Sequence, residues 1–339
     1  MMNPRIWVGV LISVVSLVFL ALTVDFAELG RALSAANPWL TLAVLALVPV
    51  QMYLRAYRWR LFFPDPPRLS MPGLLSALYL GYMVNTVIPL RAGELVRAYL
   101  VGETERVSKS TALATVVVEK VLDLGTMALL LALLPLFLPL PGWAQAAAGV
   151  SGLVLLAAVV GLVAMVLARG PVLGLAERLE ARVPIVRRIG GRSLLESFMD
   201  GFAFVGKPRL LLGVLLCSVV LWSLSALMVW VGLLAVGIGR PFAVAVFLMV
   251  AVSLGMAVPS APGYVGVFHS TVVVALAPFE VDATPALAAA IILHTMVFGV
   301  FVVGGLYYLV RSGQAGGPGR GLGGLVTEAR SASKQVHPH

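Results

Sequence analysis

Arg91, Glu94 and Arg97 stand close together in NTVIPLRAGELVRAYL, a run set among long apolar stretches. A guanidinium fork matches the oxygens of a phosphate. The six-residue spacing of Arg91 and Arg97 does not place them side by side on one helix. They still converge if Arg91 lies on a non-helical break and Arg97 on the helix that follows Gly93. A helix starting there would add free backbone N–H donors and a positive dipole end. Glu94 could orient an arginine or accept a headgroup amine, and Asn85, just before the break, completes the set of candidate substrate-binding residues with Lys120. The plainer reading makes Arg91 and Arg97 interface anchors that snorkel to the headgroups.

A second polar group lies in STALATVVVEKVLDLGT. Thr111, Thr115, Glu119, Asp123 and Thr126 follow one another at spacings that share one helical face, and Lys120 points about 100° away. A charge at mid-membrane costs at least about 2.5–3.5 kcal/mol. Glu119, Lys120 and Asp123 should therefore face a polar interior, paired with one another or with Arg91 and Arg97. Glu119 and Asp123 are read either as charge-balancing or proton-carrying residues, or as members of a buried structural ion network.

The elements that must position these groups are broken helices. Pro89-Leu-Arg-Ala-Gly93 and Pro259-Ser-Ala-Pro-Gly263 have the same Pro-x-x-x-Gly form and interrupt apolar stretches in the two halves of the chain. Proline removes a backbone donor and glycine relaxes the chain, so each copy should break a helix. Lipid cannot satisfy the freed groups, so such breaks persist only where protein or a water-filled cavity covers them. Pro89, Gly93, Pro259, Pro262, Gly263 and Tyr264 are the candidate gate residues. The first break is charged, and the second has Tyr264 among apolar neighbours.

The rest of the chain has the composition of an integral membrane protein, with 60% hydrophobic and 12% charged residues among 339. The net charge of +9 sits mainly in loops between apolar stretches, which points to membrane topology rather than to nucleic acid. Cys217 is the only cysteine, so neither an intramolecular disulfide nor a cysteine-based metal site can form. Six stretches read as full spans: 6–24, 38–54, 110–138, 143–168, 210–238 and 286–310. The first reads as a retained span rather than a cleaved signal, because Asp25-Phe-Ala-Glu28 is a poor cleavage site. Segments 71–89 with 94–105, and 241–258 with 265–279, read as two re-entrant or broken helix pairs.

Basic residues give the orientation. Loop 55–68 holds Arg55, Arg58, Arg60 and Arg68, segment 91–109 holds Arg91, Arg97, Arg106 and Lys109, and loop 169–209 is the most basic of all. Loops 25–37, 139–142 and 280–285 hold at most one basic residue. Rich and poor loops alternate with both termini cytoplasmic, in the plasma membrane. The bookkeeping closes when the first broken pair opens from the cytoplasm and the second from outside. Units 38–138 and 210–310 then form an inverted repeat within one transmembrane domain, 1–311, the architecture of many secondary transporters. Loop 169–209 reads as two short amphipathic surface helices, around LAERLEAR and SLLESFMDGFAFV, and 312–339 as a disordered tail.

PLRAGELVRAYLV followed by STALATVVVEKVLDL resembles the lysylphosphatidylglycerol synthase transmembrane region, a flippase-like family. Pro89, Arg91, Gly93, Glu94 and Arg97 match its first motif. Glu119 and Asp123 match its second, where Lys120 replaces an arginine. PSAPGYVGVFHS resembles its second Pro/Gly break, with His269 where a glutamate is often found. The resemblance implies a membrane protein that moves or handles phospholipids or lipid-linked substrates. It also implies a partner: in aminoacyl-phosphatidylglycerol systems the region is fused to a soluble transferase domain, and no segment here outside the spans is long enough to be one. The chain is therefore expected to act as the translocation half, beside a separate lipid-modifying enzyme. Some relatives are linked to glycosylation with polyprenyl-phosphate sugars, so a phospholipid and a polyprenyl-phosphate lipid both stay open. So do a membrane glycosyltransferase with Asp123 or Glu119 as base, and a lipid-binding subunit of a synthase complex.

No G-x-x-x-x-G-K-[ST] run is present, so ATP-driven transport by the chain itself is not expected. His269, His294, His337 and His339 show no metal-ligand spacing. No catalytic residue, metal or cofactor is expected.

Overall fold

The computed structural model describes residues 4–63, 68–88, 92–182, 192, 195–196, 199, 202, 207–258 and 260–314. Every regular element among them is helical. Helix α1 (Pro4–Thr23) and α2 (Phe26–Ser34) meet at a bend of 89°. Asp25 at the bend caps α2, its Oδ1 accepting from the Ala27 and Glu28 N–H groups. Then follow α3 (Pro38–Leu61), α4 (Met71–Val87), α5 (Gly93–Thr104), α6 (Lys109–Leu133), α7 (Gly142–Leu167) and α8 (Arg169–Arg182). The second half consists of α9 (Pro208–Ala235), α10 (Phe242–Gly255), α11 (Val267–Leu276) and α12 (Ala283–Gln314).

Four segments among the described residues are long and apolar enough to cross a membrane, or five if the bent α1–α2 pair forms one span. Three of them, α3, α9 and α12, match stretches read as spans from sequence. The fourth, Pro262–Phe279, contains α11, which the sequence placed in the second broken pair. Three stretches read as spans are not among the four. The stretch 6–24 qualifies only together with α2, α6 carries Glu119, Lys120 and Asp123 in its central turns, and the apolar segment counted in α7, Gly142–Ala158, falls short of 18 residues among the described ones. Leucines and valines on the outer faces of α1, α7 and α9 are exposed, including Leu22, Leu153 and Val219, as expected of surfaces that meet lipid rather than water. The chain is an all-helical, multi-pass membrane protein.

The basic loop read at 55–68 is corrected at its start. α3 runs on to Leu61, so Arg55, Arg58 and Arg60 are helical residues. Arg58 is fully buried, and it is tolerated there because its guanidinium is paired, as described below. In the basic connector, α8 corresponds to LAERLEAR, and Arg192 pairs with Glu177 and Glu196. Most of the second connector helix read at SLLESFMDGFAFV, and the tail beyond 314, lie outside the described residues.

Helices α3 and α9 run antiparallel in contact. The Asn37 N–H donates to the Ala235 carbonyl at one end, Gln51 Nε2 donates to Ser225 Oγ in the middle (2.5 Å), and Leu61 lies beside Gly213 at the other. Around this pair the two broken segments form hairpins. In the first, α4 and α5 pack antiparallel: Gly73 lies beside Glu105, and Gly81 beside Arg97 and Gly93. Its base is closed by Glu105, whose carboxylate accepts from Ser70 N and Ser70 Oγ (2.8 and 2.6 Å). In the second, α10 packs on α11, and the base is closed by Arg240 Nη2 donating to the Glu280 carbonyl (2.7 Å).

The hairpins approach α12 from opposite ends. The second has its base at the start of α12, joined to it by residues 280–282. In the first, Tyr79 lies beside Tyr308 and Gly304, toward the end of α12, and Tyr82 stacks on Phe301 (4.7 Å). Their tips meet between these ends. Gly263 of the second break faces the Thr86 carbonyl in the last turn of α4, and His294 of α12 contacts the same glycine.

Candidate functional site

The tip of the second hairpin is built from residues that leave the helical region. Gly263 and Gly266 have φ of 71° and 87°, and Tyr264 has 58°, a left-handed conformation that glycine adopts without strain and tyrosine does not. The groups freed by this geometry find partners. The Ala261 N–H donates to Ser13 Oγ (2.8 Å), and the Gly263 carbonyl meets His294 Nε2 (2.7 Å). Helix α1 thus seals the break, with Gly9 against the Ser260 backbone and Gly266 against Ser13. The Tyr264 ring lies beside Phe298 (5.8 Å). Ser13→Ala should cost about 1–3 kcal/mol by leaving the Ala261 N–H unpaired, measured as a lowered thermal midpoint in detergent. An unchanged midpoint would show that the break is held by other contacts.

At the first break, Pro89, Leu90 and Arg91 lie outside the described residues. Around them, Asn85 bridges the gap. Its Oδ1 accepts from the Gly93 N–H (2.7 Å), and its Nδ2 donates to Glu94 Oε2 (3.2 Å). No side chain at Ala92 caps α5, so Asn85 satisfies an opening donor of α5 from another helix. The Gly93–Gly81 contact is close enough that a Cβ on Gly93 would lie 2.0 Å from the Gly81 carbonyl oxygen.

Among the described residues, three ion pairs lie around this break. Arg97 donates through both terminal nitrogens to Glu119 (3.2 and 2.8 Å), and these side chains are only 3% and 2% exposed. The Arg97 guanidinium also lies over the Trp59 ring (4.3 Å). Arg58 Nη2 pairs with Asp123 Oδ1 (2.7 Å), and its Nη1 reaches Ser218 Oγ (3.3 Å). Trp59 Nε1 donates to Thr115 Oγ1 (3.0 Å). The polar face of α6 is thus divided, Thr115 and Asp123 meeting α3 and Glu119 meeting α5. The third pair differs. Lys120 Nζ sits 3.3 Å from Glu94 Oε1, with side chains 45% and 25% exposed. Of the described charges at the break, Lys120 and Glu94 are the accessible ones, whereas both terminal nitrogens of Arg97 are engaged by a buried carboxylate.

Sequence reading missed Arg58, Trp59 and Arg55, having placed them in a loop. A signal was present: Gln51, Arg55 and Arg58 are spaced by four and three, one helical face. Among the described residues, no three His, Cys, Asp or Glu side chains converge to hold a metal ion.

Residues 6–305 match the family described as the lysylphosphatidylglycerol synthase transmembrane region. The chain is also similar to Glycosyltransferase AglD of Haloferax volcanii, at 31% identity over 88% of this chain and 53% of the relative. It therefore spans about half the length of that curated relative. No solved structure shows a significant match.

Proposed function

Because the chain belongs to the lysylphosphatidylglycerol synthase transmembrane region family, we propose that it translocates a lipid bearing an anionic phosphate headgroup, with the headgroup handled at the first helix break. The observation that carries this reading is the meeting of two helix breaks inside the bundle, one of them flanked by the accessible Lys120–Glu94 pair. Lys120 offers its ammonium to a headgroup phosphate, Arg91 adds a guanidinium from the break itself, and Glu94 takes a headgroup amine or re-pairs once the lipid leaves. The buried Arg97–Glu119 and Arg58–Asp123 pairs fix the helices that frame the break.

The two units act as an inverted pair in this reading. The antiparallel α3 and α9, and hairpins that approach α12 from opposite ends, support it, as does the recurrence of equivalent packing: α4 on α12 and α6 on α10. Each tip then gates one face of the membrane, the first from the cytoplasmic side and the second from outside. The substrate is a phospholipid or a polyprenyl-phosphate lipid, delivered or consumed by a separate lipid-modifying enzyme.

The similarity to a protein named a glycosyltransferase favours a second reading, in which the chain belongs to a membrane enzyme acting on polyprenyl-phosphate substrates. Against a catalytic role for the transmembrane carboxylates, Glu119 and Asp123 are both held by guanidinium partners. The readings separate in one experiment. Purified protein is given a polyprenyl-phosphate sugar and an acceptor, and in parallel is reconstituted with a headgroup-labelled lipid. Translocation without product formation, reduced at least about tenfold by Lys120→Ala and by Arg91→Ala, supports the translocase. Product formation, or unchanged translocation in both folded variants, overturns it.

A further inference from the structure

Beneath the meeting point of the tips, between the two units, lies a cavity of about 190 Å³. Its wall is formed by α3, α9, α10, α11 and α12, with Tyr82 of α4. Most of the lining is apolar: methionine, leucine, valine and phenylalanine side chains. The polar groups of Gln51, Ser225 and Ser253 on this wall are already engaged. Gln51 donates to Ser225, Ser225 donates to the Leu221 carbonyl, and Ser253 donates to the Met249 carbonyl.

Two donors remain. Arg55 lines the cavity and has no carboxylate partner among the described residues; its guanidinium carbon stands 5.6 Å from the Trp222 ring centre and 6.0 Å from that of Tyr82, at the outer limit of cation–π contact. Trp222 also lines the cavity, and its indole N–H is buried with no hydrogen-bond partner. Arg58 and Arg97, only a turn or a helix away, both hold carboxylates. A cation and a buried N–H left open on an apolar wall are costly unless an acceptor enters.

We propose that this cavity is a binding site for the phosphodiester monoanion of a membrane lipid, with Arg55 and the Trp222 N–H holding its free oxygens and the apolar wall receiving the adjoining hydrocarbon. The single guanidinium sets the charge class. One fork neutralises one negative charge, so a phosphodiester is matched, whereas a phosphate monoester or a pyrophosphate would bring a second charge onto an apolar wall. Phosphatidylglycerol and a polyprenyl-phosphate sugar are both phosphodiesters, and polyprenyl monophosphate is not. The inference rests on the lipid-handling reading above and assigns that lipid a site distinct from the Lys120–Glu94 pair.

The test is lipid retention by the purified full chain in detergent, read by native mass spectrometry after addition of phosphatidylglycerol, a polyprenyl phosphoglucose or polyprenyl monophosphate. Wild type should retain at least one of the two phosphodiesters in preference to the monoester. Whichever is retained identifies the source. Arg55→Gln should lower that retention at least about tenfold, Arg55→Lys less, and Trp222→Phe, which keeps an aromatic ring and removes the N–H, by several-fold. If Arg55→Gln does not fold, Trp222→Phe decides. Retention unchanged in a folded Arg55→Gln or in Trp222→Phe, or equal retention of the monoester, overturns the site. Retention that depends on Arg55 in a protein that moves no lipid keeps this site and removes the translocase reading. Normal translocation by Arg55→Gln with unchanged retention does the reverse.

Discussion

Glu119→Ala should destabilise the protein by about 3–5 kcal/mol, because it leaves the Arg97 guanidinium buried, charged and without its carboxylate. Arg97→Ala should cost a similar amount by stranding Glu119, and it also removes the contact over Trp59. The two losses should not add. A double variant, Arg97→Met with Glu119→Leu, replaces the pair by apolar side chains of similar length and should recover much of the stability, since a buried pair contributes less net stability than the loss of one partner costs. Intrinsic tryptophan fluorescence during thermal unfolding in detergent reads all three. Single variants as stable as wild type would show that the pair is open to water rather than sealed between α5 and α6. A vesicle translocation assay on the double variant separates framework from site: with a structural Arg97–Glu119 pair, the double variant still moves lipid.

Gly93→Ala should be the most damaging glycine-to-alanine change among the described residues. The added Cβ would lie 2.0 Å from the Gly81 carbonyl oxygen and 2.6 Å from Asn85 Oδ1. The first of these is backbone within a helix and cannot swing aside, so α5 must move off α4. That movement breaks the Asn85 bridge to the α5 N-terminus and shifts the Arg97–Glu119 pair one turn further on. Overpacking of this kind costs about 1–3 kcal/mol where side chains can adjust, and more where they cannot. Gly149→Ala in α7 is the control. Nothing lies within 4 Å of its would-be Cβ, and alanine in an open helix interior should add about 0.5–1 kcal/mol. A Gly93→Ala protein with an unaltered thermal midpoint would mean that the two helices do not approach closely.

The broken helices were legible because proline and glycine act locally. α4 ends and α5 begins within a few residues of the Pro89–Gly93 pattern, and α10 and α11 flank the second copy in the same way. The α6 stripe was legible for a related reason, since helical spacing alone put Glu119 and Asp123 on a face that could not meet lipid. Their partners were less so. Arg58 was hidden because a basic residue after an apolar run reads as the end of a span, and only the fold brings Asp123 to it. The seal on the second break was hidden further, for nothing local to Ser13 or His294 tells that they meet Ala261 and Gly263. Arg55 was misread with the same loop, although its spacing from Gln51 and Arg58 already described a helical face.

In the translocase proposed above, lipid headgroups cross the membrane through the region where the two breaks meet. Reconstitution in vesicles with a headgroup-labelled lipid, followed by a membrane-impermeant quencher, tests it most directly. Translocation predicts quenching beyond the outer-leaflet fraction in protein-containing vesicles, lost when cysteines at Thr86 and Val265 are cross-linked across the tips and regained on reduction. Quenching confined to the outer leaflet in vesicles that hold folded protein, or quenching that the cross-link leaves untouched, would contradict it.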